Sequence, residues 1–111
     1  MSSLRKQVAV IKVRKMEDGA SERFNIAREN IQRIIELALK EIATDPDCVG
    51  LRYSVGEQTT VYYIKTNQDN FGRVLGSGGR TINCLRHLVT AIAGRHGFRA
   101  ILQVENEDQF Y

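Results

Sequence analysis

Acidic side chains are missing from a long part of this chain. Neither Asp nor Glu occurs from Asn70 through Val104, 35 consecutive positions, while Arg73, Arg80, Arg86, Arg95 and Arg99 all fall there. Other residue types are scarce too. A single proline and the lack of any low-complexity run speak against a long disordered arm. Cys48 and Cys84 are too few for a disulfide framework, and nothing suggests secretion. No apolar run approaches the length of a bilayer span, and Val8–Ile11 is too short for the core of a signal peptide. The expectation is a cytoplasmic protein with no membrane partner. Cys84 and His87 stand three apart on one helix, but Cys48 and His96 are not spaced to complete a tetrahedral set, so no metal is expected and Cys84 reads as a small packed side chain. With two histidines and no Ser, His and acid constellation, neither catalysis nor a cofactor is expected.

The 111 residues suffice for one domain with one modest core. The formal charge of +3 is mild, so its distribution carries the information. Six basic and three acidic side chains fall in the first 23 residues, and Glu105, Glu107 and Asp108 make the C-terminal end acidic. Between them, Gly76-Ser77-Gly78-Gly79 forms a glycine-rich corner flanked by apolar positions at helical spacing: Val74 and Leu75 before it, Ile82, Leu85, Leu88, Val89 and Ile92 after it. Glycine permits the tight turn and leaves the backbone bare. A helix starting near Arg80 aims unpaired N–H groups and its positive dipole end at whatever covers that corner, which suits a phosphate. The known phosphate loops do not fit. A Walker A loop needs Lys where Arg80 stands and Gly where Val74 stands, and a dinucleotide G-x-G-x-x-G would need Gly at Thr81.

The remaining segments read as alternating helix and strand. Ile31, Ile34, Ile35, Ala38, Leu39 and Ile42 form one apolar stripe of a helix that starts near Ser21 and ends at Asp45-Pro46-Asp47. Its charged face, Arg28, Glu29, Arg33, Glu36, Lys40 and Glu41, reads as solvated. Val49–Val55 alternates, with Leu51, Tyr53 and Val55 on one face, and the turn Gly56-Glu57-Gln58 leads into a second strand, Thr59–Lys65. A short helix over Asn70–Leu75, capped from Asn67–Asn70, stops at the glycine corner. The next helix runs from Arg80 to about Ala93 and ends at Gly94 or Gly97, and Phe98–Glu105 alternates as a third strand. The first 21 residues form a basic extension in which Gln7–Val13 is either an edge strand or part of a loose arm.

Gly72, Arg73, Val74, Leu75, the G-x-x-G at Gly76–Gly79 and Ile82 together resemble the signature of the KH domain, an RNA-binding module. The stretch Gly72–Leu85 carries the motif, and the order helix, strand, strand, helix, loop, helix, strand matches the type II arrangement of bacterial KH proteins. The resemblance implies an α+β fold in which helices pack on one face of a three-stranded sheet. The domain would span residues 22–105, between the basic extension and an acidic tail at 106–111. It also implies binding of single-stranded RNA, with single-stranded DNA as a second candidate, clamped by its backbone at the G-x-x-G loop. The site residues would be Gly72, Arg73, Val74, Leu75, Gly76, Ser77, Gly78, Gly79, Arg80, Ile82, Asn83 and Arg86. The amides of Ser77, Gly78 and Gly79 would meet phosphate, Arg73, Arg80 and Arg86 would add charge, Val74, Leu75 and Ile82 would floor the groove, and Asn83 would face a base edge. The family's loops mostly carry Lys or Arg at a middle position, where this chain has Ser77 and Gly78, so affinity should rest on the flanking arginines and the helix dipole. The small stand-alone KH proteins of bacteria imply an RNA-chaperone or post-transcriptional role and pairing with a second copy or a second KH protein. The alternative is a KH fold that serves mainly in dimerisation or ribosome docking.

Overall fold

The computed structural model describes residues 19–111, so the question of Gln7–Val13 as strand or arm lies outside the described residues. Helix α1 spans Gly19–Ile42, strand β1 Gly50–Val55 and strand β2 Thr59–Lys65. Helix α2 (Gln68–Leu75), a 3₁₀ turn (Ser77–Gly79) and helix α3 (Arg80–His96) lead to strand β3 (Arg99–Val104). The sheet order is β1-β2-β3, antiparallel between β1 and β2 and parallel between β2 and β3. A parallel pair requires a crossover, and α2, the glycine corner and α3 supply it, so the corner hangs on both sides from the core.

The helices cover one face of the sheet. Ile31, Ile35 and Leu39 of α1, Val74 of α2 and Val89 of α3 close over Tyr62, Ile64 and Leu102. Register follows from this cover: Leu51, Tyr53 and Val55 stand opposite Ile64, Tyr62 and Thr60, and these pair in turn with Val104, Leu102 and Ala100. The buried phenol of Tyr62 donates to Arg28 O at 2.8 Å, which satisfies its one polar atom. Burial, with Tyr53 adding to it and Arg28 opposing, raises the pKa of Tyr62 far above the usual tyrosine range.

Asn70 is the polar counterpart of that core. Completely buried, its Oδ1 accepts from the amides of Thr44 (2.9 Å) and Asp45 (3.1 Å), and its Nδ2 donates to Asp45 O (3.0 Å). The chain leaving α1 is thus locked to the first turn of α2. That turn begins at Gln68, two residues before the expected Asn70, because Asn67 is the cap and its Oδ1 accepts from Asn70 N at 3.0 Å. At its other end α3 runs through Gly94 and stops at Gly97 (φ +89), where Gly97 N donates to Gly94 O and Phe98 N to Ala93 O, the paired bonds of a Schellman cap.

Five side chains depart from the sequence reading. Val55 is exposed: it is the last residue of β1, the edge strand of the sheet. Ile34 and Leu88, expected on buried stripes, stand at the flanks of those stripes and keep 44% and 41% of their surface. Cys84 is exposed, not packed. Arg28, expected on the solvated face, is half-buried: its Nε donates to Thr60 Oγ1 at 2.8 Å, and its guanidinium lies 5.3 Å from the Phe98 ring centre and 5.7 Å from that of Phe24. Burial lowers its pKa, with Tyr53 and Tyr62 acting against the shift.

Candidate nucleic-acid interface

Three glycines at positive φ make the corner: Gly76 (+79), Gly78 (+63) and Gly79 (+76). Their requirements differ. A side chain on Gly76 would run into Thr81, whereas one on Gly78 would meet nothing within 4 Å. Gly76 is thus needed for packing and for its φ, and Gly78 for its φ alone. Three internal bonds close the turn: Gly76 N to Gly72 O (2.9 Å), Gly79 N to Gly76 O (3.1 Å) and the Arg80 amide to Ser77 O. The amide of Gly79, expected to face a phosphate, is therefore used inside the loop. Among the described residues no hydrogen bond uses the amides of Ser77 and Gly78, and both residues are exposed.

Helix α3 begins at this point with no side-chain cap and no acidic residue in its first turn. Its dipole and the two open amides give the corner a positive field with no internal counter-charge. Arg73 and Arg80 are exposed on either side of the loop. The one ion pair among the described residues joins Arg52 to Glu105 at 2.8 Å, so neither loop arginine is engaged by an acid of the described residues.

The other expected site residues divide by burial. Val74 is fully enclosed and Ile82 almost so, which makes both core side chains with no surface for a base; Leu75 is half-buried and is the one aliphatic of the three open at the site. Gly72 is exposed within α2, with open space where its side chain would be. Arg86 is half-buried: its Nε donates to Leu102 O at 3.1 Å and its Nη1 to Asn83 Oδ1 at 3.2 Å, so it ties α3 to β3 and orients the exposed Asn83. Arg95 lies about 22 Å along α3 from Arg80 and is not part of the loop cluster. Two participants were not legible beforehand. Thr81 holds the corner against Gly76, and Asn70, whose amide side chain sits in a run that reads only as a helix cap, anchors the helix that carries Gly72 and Arg73.

A three-stranded mixed sheet, a βααβ crossover and a G-x-x-G turn between two helices define a type II KH domain. The pattern of the KhpA/KhpB KH-domain family matches residues 32–104, and the chain belongs to that family. The RNA-binding protein KhpA of Aquifex aeolicus (strain VF5) is 32% identical over 74 residues, which are 67% of this chain and 94% of that protein. Its namesake in Mycobacterium leprae (strain TN) is 33% identical over 61 residues, 55% of this chain and 76% of that protein. The namesake in Chlamydia pneumoniae is 25% identical over 77 residues, 69% of this chain and 99% of that protein.

Proposed function

We propose that this protein binds single-stranded RNA, its backbone held at Gly76–Gly79 and its bases lying along α2 and the start of α3. The observation that carries the reading is the pair of amides at Ser77 and Gly78, unused among the described residues and set at the uncapped end of α3 between two arginines that no described acid engages. The names of its KhpA relatives, each an RNA-binding protein, support it. Phosphate meets the two amides, Arg73 and Arg80 neutralise charge, and Leu75 with the bare backbone of Gly72 forms the apolar floor. Arg86 contributes by fixing Asn83, which faces a base edge. The role is recognition and not catalysis, with the cytoplasm as the compartment, and single-stranded DNA is the weaker ligand. No helix among the described residues is long and apolar enough to cross a membrane.

Fluorescence anisotropy with short single-stranded RNA at several salt concentrations tests this. If Arg73 and Arg80 each neutralise one phosphate, log K falls with log salt at a slope of about −1.4. Binding that ignores salt would contradict the reading.

One observation favours a second role as a protein-interaction module. Helix α1 displays Ile26, Ile34 and Leu37, and α3 displays Leu88, all large apolar side chains in water. These faces suit pairing with a second copy or another KH protein. Sizing of the wild type against Leu37→Glu checks it: a dimer that turns monomeric supports the role, and a monomeric wild type removes self-pairing.

A further inference from the structure

The C-terminal end, beyond the family match at residue 104, builds a second feature beside α2. Residues Glu107–Phe110 form a 3₁₀ turn entered through Asn106 at φ +55. Phe110 stacks on Phe71 of α2 with ring centres 4.7 Å apart and planes at 20°, and Gln68 Nε2 reaches Phe110 O at 3.5 Å. Tyr111 stands edge-on to the same Phe71, with ring centres 5.4 Å apart, and its hydroxyl donates to Glu107 Oε2 at 2.6 Å. Tyr111, its ring held at both ends and the residue as a whole 81% exposed, is a preformed stacking platform.

Its place relative to the glycine loop follows from helix geometry. Gln68, Gly72 and Leu75 share one face of α2, and Gln68 lies about 12 Å along the axis from Gly76. A KH loop clamps about four nucleotides. Even at the roughly 3.4 Å per nucleotide of a stacked strand, such a run is about 14 Å long and reaches from the loop to the C-terminal turn. We infer that Tyr111 stacks on a base flanking the clamped nucleotides and extends the RNA site past the KH motif. The contact is to a base face. The carboxylates of Glu107 and Asp108 on the same turn repel phosphate, so the strand leaves with its backbone turned away from them.

This inference rests on the RNA reading, and the experiment separates the two. Single-stranded RNAs of about four nucleotides and of about twice that length are titrated against the wild type, Tyr111→Ala, Tyr111→Leu and Tyr111→Phe. The longer RNAs carry 2-aminopurine at successive positions, a base whose fluorescence falls on stacking. The wild type should bind the longer RNA more tightly and quench 2-aminopurine at one flanking position. Tyr111→Ala and Tyr111→Leu should lose the quench and bind the longer RNA roughly five- to tenfold more weakly, with the short RNA unaffected. Tyr111→Phe keeps the ring and should retain both effects. Leu preserves an apolar contact with Phe71, so loss in that variant reports the missing ring and not a loosened turn. If Tyr111→Ala keeps the quench and the gain with length, the inference fails and the RNA reading stands. If the wild type binds neither RNA, both fall.

Discussion

Gly76 and Thr81 leave no room between them: a Cβ on Gly76 would stand 2.6 Å from Thr81 Cβ and 2.7 Å from the Thr81 amide nitrogen. This contact sets how closely the end of α2 approaches the start of α3, and so where the open amides of Ser77 and Gly78 point. Gly76→Ala should destabilise by about 2–6 kcal/mol, the sum of overpacking and the strain of a positive φ with extended ψ. Gly78→Ala, strained but unobstructed, should lose only about 1–2 kcal/mol. Chemical denaturation of the two variants checks the order; equal losses would mean the corner is not braced by Thr81.

Gly72 presents the opposite case. Among the described residues nothing beyond its own turn of helix lies within 4 Å of where its side chain would be, and it sits inside a helix, where Gly is less favourable than Ala by about 0.8–1.0 kcal/mol. Gly72→Ala should therefore raise the melting temperature and weaken RNA binding, because the new methyl stands on the face where the strand approaches. A variant that is stabler and binds as well as the wild type would remove Gly72 from the site.

How much of this was legible in the sequence depended on what each signal reports. Alternation and helical period located the three strands and three α-helices of the described residues because those periods arise from the backbone itself. The end of α3 was ambiguous because Gly94 and Gly97 look alike in sequence, and the paired bonds that close at Gly97 exist only in three dimensions. Exposure of Ile34 and Leu88 was not readable, since a stripe gives a direction but not the width of what covers it. In the candidate site, the motif marks the glycines and Arg73, and residue type and position add Arg80 and Asn83; the structure leaves both arginines and Asn83 exposed. The loss of the Gly79 amide to Gly76 O and the enclosure of Val74 and Ile82 were not legible, because both depend on how tightly the turn closes. The end of the chain read as an acidic tail from its charges; its aromatic stack on Phe71 has no sequence period at all.

Tyr62 provides a pH test of the core. Its folded pKa is raised by burial, so the folded state keeps the proton that the unfolded chain releases near pH ~10. The stabilisation is complete below that unfolded value and declines as pH rises above it. Tyr62→Phe should be less stable at neutral pH by about 1 kcal/mol through loss of the bond to Arg28 O, yet show a shallower fall in stability at alkaline pH. Urea unfolding from neutral to alkaline pH measures both, and parallel curves for wild type and variant would place the alkaline sensitivity elsewhere.

The central claim is that RNA is held at the glycine loop, and a charge swap there tests it most directly. Ser77 and Gly78 are exposed and nothing lies where a side chain on Gly78 would go, so the double variant Ser77→Asp/Gly78→Asp places two carboxylates at the open amides while sparing the core. Ser77→Asn/Gly78→Asn gives the same shape without charge. In anisotropy titrations against one single-stranded RNA, the Asp variant should lose binding at least tenfold relative to the Asn variant, an electrostatic penalty of about 1.4 kcal/mol or more. Circular dichroism should show both folded. Equal affinity of the Asp variant, the Asn variant and the wild type would contradict the claim and place the RNA elsewhere on the protein.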